Sequence, residues 1–385
     1  MTRRTAIVVG AGIGGLATAL ALARAGWDVR VLERAAGLGE VGAGLTLSPN
    51  ALRALHWLGL ADRLAPILSL PPYQISEDPL TGAETGRLVR GARAIEQYGV
   101  PYAFVHRADL HATLAQGLQR LNPTAIALDT AVSSVSAGAD GASVTTSAGD
   151  TLEAALVIGA DGLRSSVRAA LLGSQTARYT GFVAWRALLD YAQAPAGTLP
   201  AGSAVTFGPG RCFVRYRLEP RQQLNCVAFA REPDWPEEDW SVPADPEVPA
   251  RLFDDWHPAL SALLRAAPEG RCYKWGLFDR DPIPTYAYGH LALLGDAAHP
   301  MLPFLGQGAA LALEDAVVLA RALGAEPDVA VALQRYDRAR QPRGTAAQLE
   351  SRAAGLRLHG EGESPRQVNE ETLDYFAYDP AGVAI

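Results

Sequence analysis

The run Leu293-Leu294-Gly295-Asp296-Ala297-Ala298-His299-Pro300-Met301-Leu302-Pro303-Phe304-Leu305-Gly306-Gln307-Gly308 places an acid and an imidazole directly after an apolar stretch. A carboxylate and an imidazole so close could accept a hydrogen bond and move a proton. Two prolines then lead to Gly306-Gln307-Gly308 and Ala309, which open an alanine-rich segment of helical pattern. A helix that starts on glycines presents its positive end and its bare N–H groups to negative charge. A plain core segment needs none of these groups.

A second glycine cluster stands at the other end of the chain. Gly10-Ala11-Gly12-Ile13-Gly14-Gly15 follows the strand-like run AIVV and opens GLATALALARAG, and its Gly10, Gly12 and Gly15 match G-x-G-x-x-G. Glycines in that spacing make a tight turn, let backbone approach a pyrophosphate, and pack a helix closely on a strand. Gly26 ends the helix, and the run DVRVLER delivers Glu33, 23 residues after Gly10. An acid at that distance can accept the ribose hydroxyls of an ADP moiety. Arg34 suits either a 2′-phosphate or a solvated surface, so the pattern predicts a dinucleotide without separating NAD from FAD.

These groups need elements to hold them. TAIVVGAGIGG (5–15), EAALVIGADG (153–162) and HLALLGDAAHP (290–300) each read as an aliphatic strand ending at glycine or aspartate. Such runs suit a parallel sheet buried on both faces. Residues 176–275 have another texture, with alternating stretches such as RCFVRYRL and QLNCVAFA and many turn residues, which predicts an inserted antiparallel sheet. The segment 73–99 is assigned to the same layer. A helical pattern returns after 308, and only the end of the chain reads as a loose tail.

Size and composition bound the rest. At 385 residues, two or three domains are expected, and 49% apolar with 19% charged residues is a globular balance. The net charge of −7 argues against nucleic acid or an anionic membrane as the main partner. Cys212, Cys226 and Cys272 have no metal-ligand or disulfide spacing, and no metal is expected. With no signal-peptide pattern ahead of the first strand and no span-length apolar run, the chain reads as intracellular and cytoplasmic.

Taken in order, EVGAGLTLSPNALRALHWLGL (40–60), HRADLHATLAQGL (106–118), GADGLRSSVR (159–168), GFVAWRALL (181–189) and GDAAHPMLPFLGQGAALALEDA (295–316) resemble the single-component FAD-dependent aromatic hydroxylases over residues 1–360. Within that flavoprotein monooxygenase family the chain is more similar to the salicylate hydroxylase and 3-hydroxybenzoate 6-hydroxylase branch than to para-hydroxybenzoate hydroxylase. The resemblance implies an α/β fold with a Rossmann-like FAD-binding domain and parallel sheet (1–72, 100–175 and 276–345), an inserted antiparallel-sheet substrate domain (73–99 and 176–275), and a C-terminal helix and tail (346–385). It further implies FAD as cofactor, NADH or NADPH as co-substrate, dioxygen and a small aromatic substrate, in a monomer or homodimer. FAD reduced by NAD(P)H would take up dioxygen as a C4a-hydroperoxide, whose distal oxygen attacks the aromatic ring.

The same resemblance assigns residues. Asp296 is similar to the aspartate on the ribityl chain, Arg107 to the arginine near the pyrophosphate, and Val132 to the position whose backbone meets adenine. Gly44 falls in the GAG stretch of the second motif, and Asp161 and Arg164 on the motif serving both FAD and NAD(P)H. Gly306, Gln307, Gly308 and Ala309 would face the flavin edge, and Pro303 the reacting carbon of the substrate.

The chain also departs from the family. Relatives often carry histidines in the inserted sheet, one of them a candidate base for the phenol proton, where this chain has Cys212 and Arg215; Tyr216 remains. Either Arg215 or Arg186 holds the negative charge of a phenolate or carboxylate while Tyr216 or water takes the proton, or the substrate is a heteroaromatic, purine or polyketide. His299 is a further catalytic candidate, though it lies in a motif common to the family. Trp185 is expected to wall the pocket and Arg186 to pair with a carboxylate or stack on a domain interface, and Lys274-Trp275 to pack the return strand. A third reading, from another class, is a flavin-binding redox sensor without turnover.

Overall fold

The computed structural model describes residues 4–39, 43–235, 242–358 and 374–385. The three aliphatic runs are adjacent strands of one sheet. Thr5–Val9 lies between Asp28–Leu32 and Leu156–Gly159, and Leu156–Gly159 pairs in turn with Leu291–Leu293, all parallel. Ile126–Ala127 extends one edge and Ala287–Tyr288 the other, giving six strands. Parallel order puts the carboxyl ends of the strands together, where ligands of such sheets bind. Gly10, Ala160 and Leu294 therefore meet at one rim.

The helix Ile13–Arg24 is buried from Gly15 to Leu22. Its neighbours are Arg107–Leu121 and Gly308–Ala325. Gly15 is dictated by contact, because a Cβ there would overlap the carbonyl oxygen of Gly10. Gly10 itself has φ 101°, and a Cβ would lie 2.6 Å from Ala160 O. The helix–strand packing expected of the glycine motif is thus present.

The second layer is an eight-stranded sheet in the order Val242–Pro243, Cys272–Asp279, Arg178–Asp190, Gln223–Arg231, Arg211–Leu218, Ser203–Gly208, Tyr73–Glu77, Glu84–Val89. It is antiparallel except where Ser203–Gly208 runs parallel to Tyr73–Glu77. Strands from 73–77 and 84–89 thus complete a sheet built mainly from 178–279. One face packs on Phe253, Trp256, Leu260 and Leu263. The other turns toward the parallel-sheet layer.

A single helix, Val329–Leu358, runs through the boundary drawn at 345 and 346 and contains Pro342. Of the tail read as loose, residues up to 373 lie outside the described ones, and the described residues 374–385 differ from that reading. Tyr375 and Phe376 are buried, Arg53 donates to Phe376 O and Tyr378 O, and Arg321 donates to Pro380 O and Val383 O. Two arginines far away in sequence hold this segment, a partnership that local polarity cannot reveal.

Candidate active site

A cavity of about 940 Å³ opens between the two layers. On one side its wall is the glycine rim: Gly12, Ile13, Gly14, Gly44, Arg107 and Asp296, with Pro303, Gly306, Gly308 and Ala309. Opposite lie Arg186, Cys212, Tyr216, Phe229 and Trp275 of the eight-stranded sheet. Residues scattered from 12 to 309 converge because the parallel strands share one rim. Among the described residues, no cluster of His, Cys, Asp or Glu is arranged to hold a metal.

The rim has the shape and charge to take a dinucleotide. A Cβ on Gly12 would meet nothing within 4 Å, so space is open above the start of helix Ile13–Arg24. Glu33 accepts from Ala11 N at 2.8 Å and Ala35 N at 2.9 Å, which fixes the loop against the next strand. Thr130 N donates to Glu33 O at 2.8 Å, bringing exposed Arg34 and buried Val132 to the same end of the sheet, away from the central cavity. Asp296 opens onto the cavity and its surface is exposed there, at the foot of the cleft between buried Gly295 and Ala297. Desolvation at that depth raises its pKa above the ordinary carboxylate value, against the pull of His299 and Arg107.

The helix Gly308–Ala325 points its start at the cavity, and Gly306 before it has φ 62°. The Gln307 side chain turns the other way, donating to Ser48 Oγ at 3.1 Å and accepting from Asn50 Nδ2 at 3.0 Å. Asn50 also donates to Glu314 at 2.6 Å, and Arg343 holds Glu314 at 2.7 Å and 2.9 Å. Gln307 therefore braces the helix start from behind. Neither Asn50 nor Glu314 had a sequence signal beyond its motif.

Several expected roles are corrected by the register of the sheet. Side chains alternate along a strand, so Cys212, Val214 and Tyr216 face the cavity while Phe213 and Arg215 face away. Arg215 forms a two-pronged pair with Glu77, at 2.8 Å and 2.7 Å, with both side chains 8% exposed. It is not placed to hold a substrate. Trp185 likewise packs behind the sheet, with Lys274 over its ring at 5.1 Å. Trp275, expected to pack a return strand, is in the cavity wall with the Arg186 guanidinium 4.4 Å from its ring.

His299 is also corrected. It lies outside the cavity wall, 1% exposed, with Nε2 2.6 Å from Asp315. Asp315 additionally accepts from Gly295 N at 3.0 Å and Arg340 Nε at 2.6 Å. Burial pushes the Asp315 carboxyl up, but His299 and Arg340 outweigh it and hold it well below the usual range. The imidazole thus anchors the turn that carries Asp296. Asp161 is similar: its carboxylate accepts from Ser166 N at 2.6 Å and Val167 N at 3.2 Å, capping Ser166–Leu172, while Arg164 is exposed. Arg168, the last residue of the same motif, ties the two turns by donating to Ala297 O and Ala298 O at 3.2 Å.

Tyr216 stacks on Phe104 with ring centroids 4.0 Å apart and planes 12° apart. A Cβ on Gly44 would strike its ring, so this glycine is needed for the fit of the two layers. Asn225 Oδ1 accepts from Gly44 N at 2.9 Å and sets that approach. Burial raises the Tyr216 pKa, with Arg186 pulling it down, and burial alone raises that of Cys212. Both side chains are neutral over the physiological range.

Comparison with known proteins gives this geometry a context. Residues 3–351 match the family described as FAD binding domain. The chain is 37% identical to 3-amino-4-hydroxybenzoate 2-monooxygenase of Streptomyces platensis, over 96% of this chain and 94% of the relative. It is also 37% identical to 6-hydroxynicotinate 3-monooxygenase of Bordetella bronchiseptica, over 82% of this chain and 81% of that one. Among solved structures, Klebsiella pneumoniae HpxO complexed with FAD and uric acid superposes with a TM-score of 0.83 at 28% identity, covering 94% of this chain and 90% of HpxO.

Proposed function

Because this chain belongs to the FAD binding domain family and is an FAD-dependent aromatic monooxygenase, we propose that it hydroxylates a small aromatic of the hydroxybenzoate or salicylate kind, using NADH or NADPH and dioxygen. The observation that carries this reading is the cavity, which brings the glycine rim and Asp296 face to face with Tyr216 and Arg186. FAD, when bound, supplies hydride acceptance and dioxygen activation, which no side chain in the wall can perform. The relatives give no support to a sensor without turnover.

The chain's own residues take the following parts. Gly10, Gly12, Ile13, Gly14 and Gly15 with the helix start receive the pyrophosphate, assisted by Arg107; Glu33, Arg34 and Val132 meet the adenosine end; Asp296 accepts from the ribityl hydroxyls. Gly44 fits the flavin-side loop to Tyr216. Gly308 and Ala309 present backbone N–H groups and the positive helix end to negative charge on the flavin, and Gly306, whose own N–H donates to Pro303 O at 3.0 Å, turns the chain into that helix. Pro303 borders the substrate ring, and Arg186 stabilises negative charge on the substrate. Tyr216 donates to a substrate oxygen, since its raised pKa keeps the proton on the phenol.

A heteroaromatic substrate is the second reading, and one observation favours it. Cys212, at one of the two positions where relatives often carry histidine, is a neutral thiol among Val205, Phe229, Trp275 and Leu302. That wall therefore offers no imidazole to take a phenol proton, a departure from the histidine pattern of hydroxybenzoate relatives. The test is a panel of hydroxybenzoates, aminohydroxybenzoates and hydroxypyridines, with NADH and NADPH oxidation, oxygen uptake and product followed together. Stimulation by a hydroxybenzoate supports the first reading and stimulation by hydroxypyridines alone the second; no stimulation by any member contradicts both.

A further inference from the structure

A second guanidinium reaches the cavity from the far edge of the eight-stranded sheet. Arg90 directly follows Glu84–Val89 and is 2% exposed, yet it is part of the cavity wall. Its guanidinium lies over Tyr102 at 4.5 Å and Phe376 at 5.5 Å, and Nη2 donates to Gln74 Oε1 at 3.2 Å. Two rings and an amide fix the plane of the group. Ser203 faces Gln74 across the parallel pairing and Tyr216 across the antiparallel one. Its hydroxyl is buried in the same wall and has no hydrogen-bond partner among the described residues.

Strand order separates this cluster from Arg186. Arg186 lies on Arg178–Asp190, two strands from Tyr216 on one side, and Ser203, Gln74 and Arg90 follow on the other. Tyr216 stands between two cationic positions. A planar guanidinium, a carboxamide and a hydroxyl on one wall match a carboxylate, which accepts from several donors in one plane. A buried hydroxyl without a partner costs stability, and a ligand oxygen would remove that cost.

We infer that Arg90, Gln74 and Ser203 form the subsite for the carboxylate of an aromatic acid, leaving Arg186 to face the oxygen or nitrogen substituent of the ring beyond Tyr216. This rests on the aromatic monooxygenase reading and deepens it. It assigns specificity for acids to an edge segment, Gln74 and Arg90, that joins the sheet from outside 178–279, together with Ser203 on the strand it pairs with. The docked segment carrying Phe376 closes the subsite from behind.

The test uses FAD-loaded full-length protein and three matched pairs of probes: 3-hydroxybenzoate and 3-hydroxybenzamide, 3-amino-4-hydroxybenzoate and its amide, 6-hydroxynicotinate and its amide. Binding is read from the change in flavin absorbance. For the pair whose acid binds best, Arg90→Gln should weaken the acid at least about 10-fold and the amide less than about 3-fold, with FAD content unchanged. Ser203→Ala, a milder change, should weaken the acid about 3-fold and also spare the amide. Arg186→Gln should lower turnover while retaining the preference for acid over amide. Equal effects of Arg90→Gln on acid and amide, or loss of the preference in Arg186→Gln instead, would overturn the subsite while leaving the monooxygenase reading intact. Wild-type protein whose flavin responds to none of the six probes would overturn the reading on which the subsite rests.

Discussion

Tyr216 and Gly44 illustrate how much a single contact decides. The tyrosine ring is held between Phe104 and the glycine backbone, so its hydroxyl has little freedom. Tyr216→Phe should therefore keep FAD and lower kcat by roughly 10- to 100-fold, the size of one lost hydrogen bond at a reacting group. Normal turnover in that variant would remove Tyr216 from the chemistry. Gly44→Ala should do more damage, because the new methyl pushes the ring from Phe104 at a cost of about 1–3 kcal/mol. A lower melting temperature together with weaker FAD binding is the expected result. Asp296→Ala should lose FAD, visible as colourless protein after gel filtration.

At the scale of elements, two turns carry the cofactor-facing groups, and buried charges hold both. Asp315 joins Gly295, His299 and Arg340, and Glu314 joins Asn50 and Arg343. The folded Asp315 carboxyl lies below its unfolded value of about 3.9, so ionisation adds stability that is present above pH about 4 and lost as the pH falls toward the folded value. Asp315→Asn removes one of two buried carboxylates paired with Arg340, the other being Glu314 at 2.7 Å, and should cost about 3 kcal/mol at pH 7 in urea unfolding. The gap from wild type should narrow below pH 4. A gap unchanged between pH 7 and pH 3 would contradict the linkage.

The elements also explain what could be read from the chain. Glycine spacing and aliphatic runs are local, and they led directly to three adjacent parallel strands and the cavity rim. The faces of the eight-stranded sheet are not local. A period of two says that Arg215 and Tyr216 point to opposite sides but not which side is the cavity, so Arg215 stands beside Arg186 as an alternative and Trp185 as a wall candidate, although both side chains face away from the cavity. Arg90 was passed over because its strand joins the sheet from a distant segment. Histidine chemistry misleads in a third way, since the buried carboxylate partner of His299 stands 16 residues on in the same run, a pairing that spacing alone does not reveal.

For the whole molecule, the two layers meet across the cavity and are pinned by the chain end. Residues 374–385 bury Tyr375 and Phe376 and occupy Arg53, Arg321 and Arg343. Removing them should lower stability by about 3 kcal/mol or more from the two aromatic side chains alone. FAD contacts residues of both glycine motifs in the proposed arrangement, so loading should raise the unfolding free energy by about 2.7 kcal/mol at a free concentration 100 times Kd. No described helix is long and apolar enough to cross a membrane.

The most direct test of the central claim follows the fate of oxygen. FAD-loaded protein is given NADH or NADPH, isotopically labelled dioxygen and each member of the aromatic panel, and product is examined by mass spectrometry beside the rate of NAD(P)H oxidation. The predicted result is substrate-stimulated oxidation with one labelled oxygen atom in the hydroxylated ring. A protein that cannot be loaded with FAD, or one whose NAD(P)H oxidation is unaffected by every aromatic and yields no labelled product, would contradict the account.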